Sequence, residues 1–324
     1  MDIYVKKAII HQFSPDDTDL YLADKFLNIT PKIEEYLRKK IERVYSDEAR
    51  TGIFEEDNPF LEMISDDLLE TSVAVANRWK EEFVVSENQK TNDLVFIQFS
   101  KEGVDHFAFL RIALRETLTH LGGEVDNPIK LTQNNLPGFG TGADEALVIN
   151  LQSRKYHLIE KRIKYNGTFL NYFSENLLQA QPKISPKKSI KALEKTAQKI
   201  AESFNTDDFQ FQSKVKSAIF NHIEEENKLS PEKLADDLFD DNLTARLSFI
   251  DQVKEAVPEP VTFEEIDVSR QLKKFENQKL SLSNGIELIV PNNVYEDAES
   301  VEFILNENGT YSILIKNIED IQSK

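Results

Sequence analysis

Apolar and polar residues alternate along the first stretch of the chain. Residues 3–13 and 19–24 read as strands on either side of the turn Ser14-Pro15-Asp16-Asp17. The period then changes. Thr30-Pro31 is a helix start, with Thr as N-cap and Pro at the first helical position. Ile33, Tyr36, Leu37, Ile41 and Val44 follow at helical spacing and leave Lys39, Lys40 and Arg43 for the wet side. Asp66 and Asp67 open a second helix that runs to about Glu82, carried by Leu68, Leu69, Val73, Val75, Ala76 and Trp79. Residues 94–100 and 105–114 read as strands paired across Lys101-Glu102-Gly103, and 130–132 and 146–151 as further strands. Residues 1–165 therefore form an expected α+β domain on a largely antiparallel sheet.

From 166 to 258 helical spacing takes over. Phe169, Leu170, Tyr172, Phe173 and Leu177 predict one amphipathic helix. Ser185-Pro186 caps a second to about Phe204, 209–226 is a third, Ser230-Pro231 caps a fourth, and 242–257 is a fifth. Pro258-Glu259-Pro260 marks a boundary. Residues 259–324 then read as a small β unit. The runs 280–282 and 286–290 flank Asn284-Gly285, a two-residue hairpin signal, and 301–305 and 310–315 flank a turn holding Asn308-Gly309. The expected fold class is α+β: an N-terminal mixed antiparallel sheet with helices, a central helical region and a small C-terminal β-hairpin unit.

Composition narrows the chemistry. The 324 residues are 40% apolar with 21 Phe, enough for real cores. No cysteine is present, which removes disulfides, iron–sulfur clusters, cysteine-based zinc sites and cysteine nucleophiles, and makes a reducing cytoplasm the default expectation. The first residues lack the basic–apolar–small order of a signal peptide, and no uncharged apolar run approaches the ~20 residues that span a bilayer, so no membrane partner is expected.

The search for catalytic constellations returns little. His11, His106, His120, His157 and His222 form no ligand spacing, and structural or surface roles fit each of them. Gly138, Gly140 and Ala143 match a loose dinucleotide fingerprint, but Asn134-Asn135-Leu136-Pro137 precedes them where a strand is needed, and the apolar run at 146–149 follows where a helix is needed. A flexible surface loop is the expectation. Glu224-Glu225-Glu226 and Asp236, Asp237, Asp240 and Asp241 lack a calcium-loop pattern and read as solvated helix faces. Glu226-Asn227-Lys228 has a nuclease-like spacing but sits at a helix end rather than a sheet edge, which leaves a metal-dependent nuclease as a remote third class. The expectation is no enzyme, no cofactor and no metal.

The charge is more informative by segment than in total. The sum is −18, from 39 bases and 57 acids, and by itself it speaks against nucleic acid. Residues 151–200, however, hold eleven bases and three acids, a local +8 inside an acidic chain. Lys187, Lys191, Lys195 and Lys199 recur every four residues, joined by Lys183 and Lys188. On a helix they stack along one side, away from Ile190, Leu193, Ala197, Ile200 and Phe204. Like charges at this spacing cost about 0.2–0.5 kcal/mol per pair, and only Glu194 offers relief within the stripe. Arg154, Lys155, Lys161, Arg162 and Lys164 form a second patch that leads into a turn at Asn166-Gly167. Nothing in the sequence reads base edges, so contacts through these side chains would be to the DNA phosphate backbone with low specificity.

Several stretches resemble one family. Ala8-Ile-Ile-His11-Gln-Phe13 with the Asp-rich turn after it, residues 143–151, Tyr156 to Lys164 followed by Phe169 to Phe173, and Gln271 to Phe275 followed by 280–290 are similar to the bacterial nucleoid-associated proteins of the NdpA type. The similarity runs over essentially the full length without one diagnostic motif. It implies a cytoplasmic protein of the nucleoid with no catalytic constellation to carry over. The alternative is an acidic adaptor whose regions 51–82 and 224–241 dock basic DNA-handling proteins without touching DNA. A homodimer is left open, with the C-terminal hairpins and exposed aromatics as candidate surfaces.

Overall fold

Residues 94–99 are apolar at almost every position, and the computed structural model shows why: the strand that holds them is covered on both faces. The structure describes residues 1–16, 18–86, 90–120, 129–165, 167–205 and 209–322. Asp17 and Asn166, placed by the sequence in two turns, lie outside these residues. The chain separates into two units, Met1–Ser185 and Pro186–Lys324.

The first unit carries strands β1 (Ile3–Ser14), β2 (Asp19–Tyr21), β3 (Arg50–Ile53), β4 (Asn92–Lys101), β5 (Val104–Ala113), β6 (Arg115–His120), β7 (Ile129–Asn135), β8 (Glu145–Asn150), β9 (Lys155–Ile159), β10 (Ile163–Tyr165) and β11 (Thr168–Leu170). Its α-helices are α1 (Pro31–Glu42), the single turn α2 (Pro59–Glu62) and α3 (Leu68–Phe83). Seven strands make one antiparallel sheet in the order β2-β1-β4-β5-β8-β9-β3. Alternate residues serve opposite layers. Leu94, Phe96, Phe107, Phe109, Leu147 and Ile149 pack with Trp79, Phe83, Tyr172 and Phe173 on one side. Val95, Ile97, Phe99, Ala108, Leu110 and Val148 pack with Leu37, Ile41 and Tyr45 on the other. The β4–β5 turn places Glu102 and Gly103 at positive φ, 52° and 83°, the conformation that matches the twist of a two-residue hairpin. β6 and β7 pair as a separate hairpin between β5 and β8.

Two elements differ from the sequence pattern. The apolar spacing of 169–177 predicts a helix, yet Thr168–Leu170 is a strand paired with β10, and Phe173–Leu177 is a π-helical turn in which Leu178 N–H donates to Phe173 O at 2.9 Å. Tyr172, Phe173 and Leu177 are all buried against the sheet, so packing onto a flat layer dictates the backbone rather than helical period. Lys40, placed on the wet side of α1, is fully buried. Its Nζ donates to the carbonyls of Pro137 (3.3 Å), Gly138 (2.9 Å) and Thr141, and it lies 4.4 Å from the centre of the Tyr36 ring. Tyr36 O–H donates to Pro137 O at 3.0 Å. The glycine-containing loop is thus at the surface, with its carbonyls gathered around one ammonium. Burial, with Arg43 and Arg115 nearby, lowers the Lys40 pKa to about 8.

His11 on β1 is also fully buried. Ala23 N–H donates to its Nδ1 at 3.0 Å, so Nε2 carries the proton and donates to Ser72 Oγ at 2.9 Å. Burial lowers the imidazole pKa to about 4. The unfolded chain takes up this proton near pH 6.5 while the folded chain refuses it, so His11 contributes stability above pH 6.5 that is lost as the pH falls toward 4. Urea titrations between pH 7 and 4 should show a fall of up to about 1.4 kcal/mol per pH unit from this group. His11→Gln should flatten that slope, and an unaltered slope in the variant would remove His11 as its cause.

The second unit holds helices α4 (Pro186–Ser203), α5 (Phe209–Glu226), α6 (Pro231–Leu238), α7 (Leu243–Lys254), α8 (Ser269–Phe275) and the short α9 (Asn292–Tyr295). Its strands pair in sequence neighbourhoods. β12 (Lys228–Leu229) pairs with β13 (Val261–Thr262), β14 (Asn277–Ser281) with β15 (Glu287–Pro291), and β16 (Val301–Leu305) with β17 (Tyr311–Ile315). Of the N-caps the sequence marks, Ser230 Oγ accepts from Lys233 N–H, whereas Thr30 before α1 makes no side-chain cap bond and leaves Pro31 to open that helix; Asn242 Oδ1 accepts from Ala245 N–H. The core gathers Leu193, Ile219, Leu234, Phe249 and Phe275 from five helices. Gln278 of β14 is fully buried and donates to Ser213 O (3.1 Å) and Asn292 Oδ1 (2.8 Å), which fastens the first hairpin to α5. The whole is α+β, as the pattern predicts, with a large antiparallel sheet and helices first and β-hairpins last.

Candidate nucleic-acid interface

Helix α4 starts at Pro186, behind the buried Ser185, and its apolar side sinks Ile190, Leu193, Ala197 and Ile200 into the core of the second unit. The opposite side is left to the lysines. Lys187, Lys188, Lys191, Lys195 and Lys199 are all exposed, as is Lys183 at the end of the first unit. A rise of 1.5 Å per residue strings Lys187 to Lys199 over roughly 18 Å, a length over which one strand of B-DNA presents about five phosphates. Among the described residues no carboxylate lies within ion-pairing distance of Lys188, Lys191 or Lys195. Lys199 Nζ donates to the neutral Gln252 at 3.0 Å, which leaves its charge uncompensated. Glu194, the one acid in the stripe, turns toward Lys274 of α8 at 3.5 Å.

Packing adds a cation that linear spacing does not show. Lys216 of α5 is half-buried and joins Lys191 and Lys195 around a shallow groove of about 330 Å³, whose lining also includes Glu194, Phe211 and Val215. The signal available in the sequence is indirect. Val215, Ile219 and Ile223 define the buried face of α5, and Lys216 is the cation next to that face. Lys214 points elsewhere and pairs with Asp240 at 3.0 Å.

The second basic group fares differently. Arg154, at a φ of 60°, pairs with Glu56 at 3.0 Å. Lys161 pairs with Asp144 at 2.7 Å. Burial works against the Asp144 charge, but hydrogen bonds from Lys161 and from Ala113 N–H outweigh it and hold the carboxyl below its ordinary range. Arg162 donates to Phe169 O at 3.0 Å. Lys155 is exposed and Lys164 half-buried. These five side chains and Lys183 belong to the first unit, and the α4 stripe belongs to the second.

The acidic clusters are partly satisfied from within. Asp236 pairs with Arg246 at 2.9 Å and Asp237 with His222 at 2.7 Å. Glu226 of the Glu-Asn-Lys spacing is held by Lys233 at 2.6 Å, and this hydrogen bond lowers its pKa. Among the described residues no group of three or more His, Asp or Glu is placed to hold a metal ion, and no helix is long and apolar enough to cross a membrane.

Fold and surface together define an acidic, two-unit α+β protein with a cationic face on α4. A family model described as nucleoid-associated protein YejK matches residues 9–321, almost the entire chain, and the chain belongs to that family. The match bears out the resemblance to bacterial nucleoid-associated proteins that the sequence carries along its length. No curated protein matches the chain.

Proposed function

We propose that this protein is a non-enzymatic component of the bacterial nucleoid, in the cytoplasm, that holds the DNA phosphate backbone with low sequence specificity through the exposed face of α4. The carrying observation is the row Lys187, Lys188, Lys191, Lys195 and Lys199, with Lys216 beside it, standing out of a chain of charge −18. Like charges repeated along one helix face are unfavourable in isolation, and an anionic polymer relieves them. Arg154, Lys155, Lys161, Arg162, Lys164 and Lys183 are a weaker second patch, because Arg154, Lys161 and Arg162 already have acceptors within the first unit.

Binding to a short duplex should therefore be strongly salt-dependent. With four to six phosphate contacts, affinity should fall about 10²- to 10³-fold between 50 and 200 mM salt, and equally for duplexes of unrelated sequence. A flat salt response would defeat the proposal. Absence of duplex binding at 50 mM salt, with basic proteins still retained in a pull-down, would favour the adaptor reading through the acidic helices instead.

A further inference from the structure

The two C-terminal hairpins enclose a cleft that shares Lys216 with the proposed DNA surface and is otherwise separate from the α4 lysines. It measures about 870 Å³, within the range of clefts that enclose a ligand, and lies wholly inside the second unit. The cross-strand pair Leu280–Leu288 lines it from one hairpin and Phe303–Ile313 from the other. Phe209 of α5 is also in its wall, with its ring 5.1 Å from that of Phe303. The charged side chains lining it are Lys216 and Lys279, and among the described residues no carboxylate does so, although the chain as a whole is acidic. Each hairpin is an isolated two-stranded sheet with unpaired edges. Such hairpins are marginal by themselves and readily accept a further strand.

The same chain carries a segment of the opposite character. Residues 316–322 follow β17 and expose Ile318 (53%) and Ile321 (82%), with the acids Glu319 and Asp320 between them. In its own copy the start of this segment is held beside β16. Lys316 N–H donates to Ser300 O at 2.9 Å and Asn317 Nδ2 to Glu299 O at 3.0 Å. An exposed aliphatic–acidic segment and an open aliphatic–cationic cleft on one chain are complementary between copies. We propose that the cleft is the seat for residues 316–322 of a second copy. Ile318 and Ile321 enter between the hairpin faces, and Glu319 and Asp320 meet Lys279 and Lys216. Because each copy offers both parts, the exchange is reciprocal and closes as a two-fold dimer with two seats.

Sedimentation velocity of the full chain without DNA tests this independently of the α4 lysines. The expected result at tens of micromolar is a dimer. Ile321→Asp should weaken dimerisation at least about a hundredfold, since an aliphatic side chain is lost from each of two seats. Its far-UV circular dichroism should be unchanged, because Ile321 is exposed in a single copy, while its melt should fall to that of the dissociated chain. Lys279→Glu alone and Glu319→Lys alone should each weaken the dimer, and the two together should recover it. A monomeric wild-type chain, an Ile321→Asp dimer as tight as wild type, or no recovery in the combined variant would each overturn the proposal.

Discussion

Replacing Lys187, Lys191, Lys195 and Lys199 together by Glu is expected to lower duplex affinity at 50 mM salt at least about a hundredfold and to remove most of the salt dependence. Four phosphate contacts contribute a slope of about −3.6 in log affinity against log salt, and this is the part the variant loses. The substitutions should leave the fold intact. All four side chains are exposed, and glutamates at the same spacing repel one another no more than lysines do. The first of the four positions lies in the opening turn of α4, where the helix dipole favours an acid over the native lysine. Helical signal and melting temperature therefore serve as the control. Reversing the charges of Lys161 and Arg162 instead should change affinity little, because Asp144 and the Phe169 carbonyl already engage them. Equal affinity and equal slope in the fourfold variant would remove α4 as the contact surface.

Glu145→Ala is expected to destabilise the first unit by about 3–5 kcal/mol, and Arg111→Ala by a similar amount. The two face each other across β5 and β8 in the middle of the sheet, with Arg111 Nε donating to Glu145 Oε2 at 2.6 Å and the carboxylate fully buried. Tyr172 O–H donates to the same oxygen, Trp79 Nε1–H donates to the Tyr172 hydroxyl at 3.0 Å, and Arg111 Nη1 donates to Asn92 Oδ1 at 2.9 Å. Burial and the Glu145 carboxylate push the Tyr172 pKa well above its ordinary value, so this hydroxyl is a permanent donor. Removing either charge strands the other in a dry interior. Replacing both with apolar residues of similar volume should cost far less than the sum of the single changes. Urea unfolding of the two single variants and the double variant measures this, and additive losses would show that the two charges act independently.

The sequence reveals elements whose determinants are local. Ser230 before Pro231, Asp67 before Leu68 and Asn284-Gly285 between two apolar runs each carry their own capping or turn chemistry, and each element forms where those residues stand. The α4 stripe is legible for the same reason, since it depends only on a four-residue repeat. What the pattern does not show depends on partners far along the chain. Residues 169–177 have helical spacing, but the sheet they cover imposes a strand and a π-turn. Lys40 is buried by carbonyls about a hundred residues away. Lys216 reaches the site only because α5 packs beside α4, and Arg154, Lys161 and Arg162 lose their availability to Glu56, Asp144 and a backbone carbonyl. A place in a period gives each of these cations an expected role, and a neighbour in space decides the actual one.

Loop 137–141, seen from the inside, has the anatomy of an ion site. Backbone carbonyls of Pro137, Gly138 and Thr141 converge on one positive centre, with the face of the Tyr36 ring as a further ligand. Many loops of this shape recruit a free cation and fall open when it leaves. Here the cation is covalently attached to α1 through the Lys40 side chain, so its local concentration does not depend on dissolved cations, and its charge is lost only as the pH rises through about 8. Chelators and monovalent salts have nothing to withdraw. The loop's order is coupled instead to the placement of helix α1, and the connection between the β6–β7 hairpin and the main sheet is carried by a tethered ion that cannot diffuse away.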